Sequence, residues 1–580
     1  MTFAGGPVVK LDEIVKDIFE TMPGRLKAAE LDPEFEALIG FEIGEQAWTL
    51  EVGGRSCRAR PGLGEECQAV VRAGPREWID VAAHSVEPTA LFLAGKLRLE
   101  GDIQRLLTAF GLFERYSSDE IAVRDSSWVI ETLGDFFSIR EDGCFMIEGL
   151  DCAQLAEEFG TPVFVTSEGQ LRQNFRRIRE ALAAAYPENE VNVMWAIKSN
   201  TSMALRKVLN QEGAGGDCFT PGEIHATFVT GADPELFVLN GSDRSEEAFR
   251  MAVDIGLRIT LDHLDDLEVI ERLARERGRK VRALIRVKCE LPSLADVPST
   301  FVPGITLPFE ALNMKFGVTY AEAVEIAAAA RGLEHVSIEG LHSHIGRDVH
   351  LPEHWRGYAR DMAELCARFQ EETGVTVEIL DLGGGFAEKR DPSGHDLTRL
   401  AAPLEEYARA VAEGVREGCG RRGLRLPRLW IEPGRSLVGP TTVMISRVGN
   451  VKRTPGICTW VHVDASCNFL PTVDRHNGAS YHLLLGTRAR ARDEEVVDIV
   501  GPNCSGDLIQ PRRRLPTMER GDLLIFLDVG AYNSVAANQF NSIPRPSCVL
   551  VSGDRADLIC ERETISDVFA RQRVPARLMR

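Results

Sequence analysis

The chain has 580 residues, which is too many for one ordinary hydrophobic core, so its length predicts two or three domains. Hydrophobic residues make up 44% and charged residues 27% of the composition, which is typical of a soluble globular protein. The net charge of -20 argues against nucleic acid and anionic membrane surfaces as partners.

The sequence shows neither a signal peptide nor a membrane-spanning segment. Residues 1–20 lack an apolar core and contain acidic side chains early. No stretch approaches the roughly 20 apolar residues that a membrane helix needs. The 13 cysteines include no CxxC pair with zinc-ligand spacing. We therefore expect a cytoplasmic protein with reduced thiols and without a metal site.

Residues 1–116 are predicted to form a small α+β domain. An apolar period from Leu11 to Phe19 favours a helix at its start. Alternating patterns then predict strands at 41–44, 47–52 and 69–72. An apolar helix at 103–113 closes the segment. Residues 117–145, which contain charged and serine residues, are predicted to be a connector.

The end of the small domain carries the pattern Gly-Lys-Leu-Arg-Leu-Glu-Gly-Asp at residues 95–102, directly before its last helix. This pattern resembles the sterol-carrier-protein-2 (SCP2) family, whose fold encloses an apolar tunnel. The resemblance implies a lipid or acyl ligand for this domain. In the alternative, the same apolar faces fill a core and the domain is a scaffold or a dimerisation module, because tunnel and core look alike in sequence.

Strands and helices alternate through residues 146–440, an order that predicts a parallel (β/α)8 barrel and hence an α/β fold. Eight short apolar segments are predicted to be its strands: 193–197, 216–219, 236–239, 258–261, 281–287, 338–344, 377–382 and 429–432. An open doubly wound sheet is the alternative. In a barrel, functional side chains lie at the carboxyl ends of the strands and in the loops that follow.

Polar side chains and glycines follow most of these predicted strands. They are Lys198, Asp217, Asn240, Arg286, His344, Gly383, Gly384, Gly385, Glu432 and Arg435. A lysine at a strand end often only reaches solvent, and a single buried histidine is more often a core residue than a catalyst. Because so many strand ends agree, we expect these residues to share one site at the rim of the barrel.

Three of these side chains meet the chemical needs of pyridoxal 5'-phosphate (PLP). Lys198 would bind the aldehyde of the cofactor as a Schiff base, with a pKa lowered by partial burial and neighbouring positive charge. Glu432 would keep the ring nitrogen protonated, so that the ring acts as an electron sink. His344 would stack on the face of the ring.

A run of three glycines is predicted to hold the phosphate of this cofactor. Gly383, Gly384 and Gly385 would expose backbone N–H groups and allow close approach, as at other anion-binding loops. Arg435 follows the next strand, and barrels commonly build a phosphate site from these two loops. The glycines do not form the pattern G-x-G-x-x-G, which disfavours a nicotinamide cofactor.

Several motifs resemble the fold-type III PLP-dependent amino-acid decarboxylases, which act on diaminopimelate, ornithine or arginine. They are Gly216-Asp217-Cys218, Lys315-Phe316-Gly317, His344-Ile345-Gly346, Asp381-Leu382-Gly383-Gly384-Gly385 and Glu432-Pro433-Gly434-Arg435. The resemblance covers residues 145–575 and includes Asp217 among the cofactor-binding residues. It implies a barrel followed by a β domain at 441–580, which a strand near 144–147 joins. It also implies a homodimer with its active sites at the subunit interface.

Short β-rich segments predict the strands of this β domain, at 443–448, 459–464, 495–500, 522–526 and 548–551. Two of its loops carry further site residues. By the resemblance, Cys504 reaches the cofactor of the partner subunit and protonates the carbanion after carbon dioxide leaves. Tyr532 would donate a hydrogen bond to the phosphate. A lone cysteine is usually a small buried hydrophobe, but the flanking Gly-Pro and Ser-Gly-Asp favour the catalytic interpretation here.

The substrate side departs from the diaminopimelate decarboxylases. Those enzymes carry an acid directly after the cysteine and an aspartate four positions on, whereas here Ser505 follows Cys504 and Asp507 is three positions on. Arg347 stands where the family usually has a small serine. Ser505, Asp507 and Arg347 are the candidate substrate-binding residues, and we expect an amino-acid substrate other than diaminopimelate. The alternatives are a racemase that uses the same cofactor and a protein whose main role is lipid binding.

Overall fold

The computed structural model describes most of the chain. The described residues are 11–27, 32, 34–82, 97–113, 116, 129–288, 291–295, 297, 306–347, 349, 351–388, 390, 401–455, 458–471 and 481–579. They divide into two compact units, one of residues up to Tyr116 with Thr306, and one of the other described residues from Val129 onward. The predicted boundaries at 116, 145 and 440 stay a prediction. Residues 95–96 of the SCP2-like pattern and 117–128 of the predicted connector lie outside the described residues.

The smaller unit has the α+β fold that its sequence predicted. Its five-stranded sheet has the order β3-β2-β1-β4-β5, with β1 antiparallel to β2 and parallel to β4. The strands are β1 Ala37–Ile43, β2 Gln46–Gly53, β3 Ser56–Pro61, β4 Ala69–Ala73 and β5 Leu97–Gly101. The helices are Leu11–Thr21, Pro75–Ala82 and Ile103–Gly111. The predicted elements of this unit are therefore confirmed within a few residues.

Aromatic rings form the centre of the core of this unit. Phe19, on the first helix, stacks on Trp48 at 5.0 Å and on Trp78 at 5.4 Å between ring centroids. Phe41 meets Phe19 edge-on at 5.0 Å. All four side chains are at most 5% exposed. These rings fill the space between the first two helices and the sheet.

The larger unit begins with a small three-stranded antiparallel sheet. Its strands are β6 Phe137–Ile139, β7 Phe145–Ile147 and β8 Leu150–Asp151. The strand expected near 144–147 to join the β domain is thus paired with its sequence neighbours. The strand that does join the large β sheet is β9, Val163–Ser167, which lies between β18 and β24. All five of its residues are buried, so both faces of the sheet are covered at this strand.

Eight parallel strands form a closed barrel, which confirms the predicted architecture. They are β10 Val191–Ala196, β11 Gly215–Cys218, β12 Phe237–Leu239, β13 Arg258–Leu261, β14 Val281–Arg286, β15 Val336–His342, β16 Ile379–Asp381 and β17 Arg428–Ile431. The pairing of β10 with β17 closes the ring. Buried side chains fill the interior, among them Met194, Leu284 and Trp430, so the barrel is a packed core whose carboxyl-terminal rim is available for chemistry.

The helices around the barrel start and stop at residues with clear sequence signals. The helices of this part of the chain are Cys152–Phe159, Glu168–Ala185, Met203–Gln211, Pro221–Val229, Glu246–Ile255, Asp266–Arg277, Leu307–Asn313, Tyr320–Ala330, Pro352–Thr373, Leu404–Arg422 and Arg435–Val438. The hydroxyl of Ser167 accepts a hydrogen bond from the N–H of Gln170 at 3.0 Å, a standard N-cap. Gly256 and Gly374 end two helices in the left-handed conformation that glycine favours.

The last quarter of the chain contributes most of a nine-stranded sheet of order β22-β21-β19-β18-β9-β24-β25, in which β23 also pairs with β18 and β20. Its strands are β18 Thr442–Thr454, β19 Cys458–Val463, β20 Leu483–Leu485, β21 Glu494–Val500, β22 Leu508–Pro516, β23 Leu523–Phe526, β24 Ser547–Ser552 and β25 Arg555–Cys560, followed by the short helix Ile565–Phe569. The five strands predicted here are confirmed. No helix among the described residues has the length and hydropathy to cross a membrane.

Two contacts fix this β domain to the catalytic rim of the barrel. The N–H of Tyr532 donates to the carbonyl of Ser199 at 2.8 Å. The side-chain amide of Asn200 donates to the carbonyl of Gly530 at 2.9 Å. Both barrel residues directly follow Lys198 in the sequence, so the lysine lies where barrel and β domain meet.

Candidate active site

Lys198 lies at the rim of the barrel, on a single helical turn that follows β10. Its Nζ donates a hydrogen bond to Oδ2 of Asp217 at 2.6 Å. Asp217 is fully buried, whereas 41% of the Lys198 side chain is exposed. The ammonium group also lies 4.6 Å from the ring centroid of Phe219. Asp217 therefore fixes the position of the amine, while part of the lysine side chain stays accessible to an incoming molecule.

The surroundings of Lys198 differ from the expected ones. Burial lowers the pKa of the amine, but attraction to Asp217, Tyr532 and Glu432 outweighs it, so the pKa is raised. The expected lowering by positive neighbours is wrong, because the nearest charged partner is the carboxylate of Asp217. In the protein without cofactor the amine is an ammonium ion that Asp217 orients.

A second carboxylate, Glu432, lies close to Asp217 and is linked to it by an amide. The side chain of Asn240 donates to Oδ1 of Asp217 at 2.6 Å and to Oε1 of Glu432 at 2.8 Å. The other oxygen of Glu432 lies 3.4 Å from Nε2 of His342. All four side chains are at most 6% exposed. The chain of contacts fixes both acids at the rim.

The two buried acids near Asn240 have opposite tendencies to ionise. Burial raises the pKa of Glu432, but His342 and Lys198 more than compensate, and its pKa is lowered. The pKa of Asp217 is raised, first by burial and then by repulsion from Glu432. Asp381 is next to Glu432, and the same two causes raise its pKa well above the usual value. Of these three acids Glu432 therefore ionises most readily, which suits a partner of a protonated ring nitrogen.

Each of the three glycines is required by close approach of another part of the chain. A Cβ on Gly384 would overlap the carbonyl oxygen of Glu432, and one on Gly385 would overlap that of Gly346. Gly383 has φ +66° and faces His344. These contacts draw the loops after β15, β16 and β17 together into a cradle that any side chain would fill.

The expected donation of three N–H groups to the phosphate needs one correction. The N–H of Gly383 donates to Oδ1 of Asp381 at 2.9 Å, and that of Gly384 donates to Nδ1 of His344 at 3.2 Å. These two groups position the loop itself, because an N–H group has only one proton to donate. The cradle still offers its shape, and Gly385 remains the glycine of the three whose N–H is a candidate for the phosphate.

His344 is a neutral imidazole in this setting. Its pKa is lowered to about 3, first by burial and then by the positive charges of Arg286 and Lys198. Nδ1 accepts the hydrogen bond from Gly384, so in the neutral ring the proton is on Nε2. An uncharged, fixed ring at this place suits stacking on the face of an aromatic cofactor, as the sequence predicted.

Arg435 and Tyr532 lie together beside the glycine loop. The guanidinium carbon of Arg435 is 4.9 Å from the ring centroid of Tyr532. Tyr532 has φ +60°, an unusual value for a tyrosine, and it is held there by its bond to Ser199. A Cβ on Gly434 would lie 3.2 Å from the Tyr532 hydroxyl. The structure thus brings both predicted phosphate ligands to one place.

The loop that carries Cys504 is held from inside by Asp507. Asp507 is only 2% exposed, and its carboxylate accepts from the N–H groups of Cys467 at 2.8 Å and Asn503 at 3.0 Å. Ser505 donates to Oδ1 of Asn503 through its hydroxyl at 2.6 Å. This differs from the expectation that Asp507 and Ser505 bind substrate, since their hydrogen bonds organise the loop itself.

Cys504 and Arg347 differ in how far they are exposed and in what they contact. Cys504 is exposed, and its N–H donates to the side-chain carbonyl of Asn541 at 2.9 Å. Arg347 is half-buried, and its Cα would lie 3.5 Å from a Cβ on Gly385. Its backbone therefore lies next to the glycine cradle. The catalytic role of Cys504 and the substrate role of Arg347 stay predictions.

Three residues of the site were not assigned a role from the sequence. Asn240, His342 and Asp381 all lie at carboxyl ends of barrel strands, and that position was the available signal. Asn240 contacts both Asp217 and Glu432, and His342 and Asp381 lie beside Glu432, through contacts between strands that are far apart in the sequence. Asn541 has no such signal, because it lies in an irregular segment of the β domain.

Comparison with known proteins agrees with this geometry. Residues 168–439 match the family described as pyridoxal-dependent decarboxylase, pyridoxal binding domain, and residues 19–114 match the SCP-2 sterol transfer family. Diaminopimelate decarboxylase of Methanothermobacter thermautotrophicus is 32% identical over 446 residues, which cover 76% of this chain and 98% of that protein. The enzyme of the same name from Archaeoglobus fulgidus is 33% identical over 443 residues, covering 76% and 99%.

A solved structure shows the same arrangement of the larger unit. The crystal structure of diaminopimelate decarboxylase from Methanocaldococcus jannaschii is similar with a TM-score of 0.70 at 28% identity, and the match covers 77% of this chain and 99% of that one. The glycine cradle, the amine of Lys198 and the ionised Glu432 fit PLP, the cofactor of such enzymes. The chain therefore belongs to the family of PLP-dependent amino-acid decarboxylases.

Proposed function

We propose that this decarboxylase holds PLP between Lys198 and Glu432, receives its catalytic proton from Cys504 of a second subunit, and acts on an amino acid other than diaminopimelate. The observation that carries the first part is the continuous chain of contacts from Lys198 through Asp217 and Asn240 to Glu432. An amine and an ionised acid thus lie at the same rim, which supports binding of the cofactor aldehyde by the first and of the protonated ring nitrogen by the second.

Different residues of this chain would contact different parts of the cofactor. When bound, PLP supplies an electron sink for the charge that remains after carbon dioxide leaves. Glu432 would hold the proton on the ring nitrogen, and the neutral His344 would cover one ring face. Arg435 and Tyr532 would bind the phosphate beside the cradle. Asp217 orients the amine of Lys198.

The cofactor position is tested with Lys198→Ala. The full-length protein, purified with PLP, should absorb at about 420 nm, and the variant should lose this band because no amine remains to bind the aldehyde. Lys207→Ala is the matched control, since Lys207 lies on the next helix and donates to the carbonyl of Thr230. An unchanged spectrum of the Lys198 variant would contradict the proposal.

Two features support a second subunit as the site of action of Cys504. The cysteine is exposed on a loop of the β domain, where another molecule has access to it. The C-terminal segment also exposes large apolar side chains, including Ile565 at 70%, Phe569 at 44% and Val574 at 65%. Several exposed apolar groups on one segment favour a surface that another chain covers.

Mixing inactive variants distinguishes a shared site from a site within one chain. Lys198→Ala and Cys504→Ala are purified separately, mixed in equal amounts and allowed to exchange subunits. If each site uses Cys504 of the other subunit, about a quarter of the wild-type activity should return, because half of the dimers are mixed and each has one intact site. No recovery after confirmed exchange would contradict the proposal. Cys560→Ala, at another exposed cysteine, should stay active under reducing conditions.

The substrate proposal is supported by the loop that carries Cys504. It lacks an acid directly after the cysteine, and the nearest one, Asp507, is buried in its own loop. The relatives are named diaminopimelate decarboxylases, and one solved relative is a complex with L-lysine. A doubly charged substrate would leave its distal charge without a partner from this loop, which costs binding energy.

An amino-acid panel with carbon dioxide release as the readout tests the substrate. It should include diaminopimelate, lysine, ornithine, arginine, their D-isomers and N-acylated forms. We expect the highest kcat/KM for a compound other than diaminopimelate, such as a bulky or acylated amino acid. Diaminopimelate as the best substrate would contradict this part of the proposal and leave the cofactor part intact. A product that keeps its carboxylate would indicate racemisation.

A further inference from the structure

Two cysteines lie directly opposite each other on the last two strands of the large sheet. Cys548 on β24 is paired with Cys560 on β25 in antiparallel register. Opposed residues in such a pair have Cα atoms about 4.5–5.5 Å apart, inside the range of about 4.4–6.8 Å that a disulfide needs. The register shifts by one residue next to this pair, a bulge that re-aims the local side chains.

The two thiols have unequal surroundings. Cys560 is exposed on the last strand of the sheet, while Cys548 is half-buried and packs against the core of the β domain. A hydrogen bond from the Cys548 thiol lowers the pKa of Cys560, burial opposes this, and Arg545 adds a further lowering. The hydrogen bond and burial raise the pKa of Cys548. An accessible thiolate beside a protonated second thiol is the arrangement of an attacking and a resolving cysteine.

We propose that Cys548 and Cys560 form a reversible disulfide when the protein meets a peroxide. The Cys560 thiolate attacks one oxygen of hydrogen peroxide and breaks the O–O bond, and the departing hydroxide takes up a proton to become water. The sulfur of Cys548 then attacks the resulting sulfenic acid, loses its proton and releases a second water. The two sulfurs lose two electrons in total, and the peroxide gains them.

A second close pair of cysteines shows why proximity alone does not make a reactive site. The Sγ atoms of Cys144 and Cys152 are 4.0 Å apart, and both residues are at most 5% exposed. The thiol of Cys152 donates to the carbonyl of Gly486 at 3.2 Å. Burial keeps a peroxide away from this pair. Burial also raises the pKa of Cys152, which disfavours the reactive thiolate. This pair is the internal control.

The reactive pair is also connected to the loop of the proposed catalytic cysteine. Arg545 forms an ion pair with Glu563, which follows β25. Glu563 in turn accepts from the side chain of Gln539 at 2.7 Å. Two residues on, Asn541 holds the N–H of Cys504. The residues that flank β24 and β25 therefore contact the segment that holds the Cys504 loop.

The test uses the full-length holoenzyme treated with stoichiometric hydrogen peroxide. We expect the loss of two free thiols, a mass decrease of about 2 Da and a cross-linked peptide pair that contains Cys548 and Cys560, all reversed by dithiothreitol. Cys548→Ser should stop at a sulfenic acid on Cys560 that dimedone traps, and Cys560→Ser should remove the reaction at this pair. Cys152→Ser should leave it unchanged.

Several outcomes would overturn the proposal. These are a cross-link between Cys144 and Cys152, a disulfide between Cys560 residues of two molecules, and oxidation confined to Cys504. Retention of all thiols at this peroxide dose would do so too. If Cys548→Ser is poorly folded, dimedone labelling of the wild type within seconds of peroxide addition still reports which thiol reacts first.

Discussion

Glu432 stays ionised although it is buried, and its neighbours explain this. Asn240 donates to one oxygen, and His342 lies beside the other. Burial and repulsion from Glu432 raise the pKa of Asp381 well above its usual value, which disfavours a second negative charge beside Glu432. A buried charge is stable only with such partners. In the proposed site, Glu432 would be the acid that holds a proton on a bound ring.

Glu432→Gln should lower kcat by roughly 100-fold, the scale of a lost acid–base partner in a buried site. The fold should persist, since glutamine keeps the shape and still accepts from Asn240. Glu378→Gln is the control, because Glu378 precedes β16 at the opposite end of the barrel and pairs with Arg428 at the surface. Steady-state kinetics and the PLP dissociation constant of each variant check this. An unchanged kcat would contradict the role of Glu432.

The pH dependence of stability should report the neutral His344. Its pKa is lowered to about 3, so the unfolded chain binds this proton more readily than the folded one. Its stabilising contribution is fully present above about pH 6.5 and is lost as the pH falls toward about 3, by at most ~1.4 kcal/mol per pH unit. His344→Phe should therefore make the free energy of unfolding depend less steeply on pH than in the wild type between about pH 6 and about pH 4.

Urea unfolding of the protein without cofactor at a series of pH values measures this effect. The comparison with wild type cancels the contributions of other buried groups, including Asp217. His263→Phe is the control, since 64% of the His263 side chain is exposed. A variant curve parallel to the wild-type curve would count against a neutral His344.

At the scale of elements, the site depends on how closely three loops approach. Gly384 touches the backbone that carries Glu432, and Gly385 touches the backbone before Arg347. Backbone contacts of this kind cannot adjust as a flexible side chain does, so an added methyl group must displace a whole loop. The loop geometry is thus part of the cofactor site.

Gly384→Ala should destabilise the protein by about 1–3 kcal/mol and weaken PLP binding, because the Cβ has no space beside the Glu432 carbonyl. Gly420→Ala is the matched control. Gly420 lies in the helix Leu404–Arg422 with open space at its Cβ, and alanine there should stabilise by roughly 0.5–1 kcal/mol. Urea midpoints and PLP titrations measure both. Equal effects of the two substitutions would contradict this view of the cradle.

The barrel and its sites were largely predictable at the scale of elements. Most barrel strands are short apolar runs before a polar residue, a local signal that predicts Lys198 and Glu432 at one rim, whereas β11 is Gly-Gly-Asp-Cys. The sequence did not predict which strands β7 and β9 each pair with, because both are short apolar strands. Which of them enters the large sheet depends on contacts with β18 and β24, which are remote in the chain.

The whole molecule joins a decarboxylase to a unit with a separate core. The smaller unit has its own cluster of buried residues, centred on Phe19, Trp48 and Trp78. Because these rings stack closely, the described part of this unit has a packed interior, which favours the scaffold interpretation over the tunnel. The match to the SCP-2 sterol transfer family leaves the lipid ligand a prediction.

Separate cores predict separate unfolding transitions in calorimetry of the full chain. Trp78→Ala should lower the transition of the smaller unit only, by the equivalent of about 3–5 kcal/mol, since it empties a fully buried site. Trp355→Ala, which removes a buried ring stacked on Phe386 at 4.1 Å, should lower only the other transition. A shift of both transitions in either variant would show that the units unfold together.

The sequence by itself predicted the barrel, the β domain, the cofactor and the residues that would hold it, because periodicity, strand-end position and family motifs are local properties. Only the tertiary structure decided the charge of each group. Lys198 lies beside acids, the side chain of Asp507 points into the loop that carries it, and Cys548 lies opposite Cys560. These outcomes depend on burial and on distances between residues remote in the chain, which set pKa values and access and which no local pattern records.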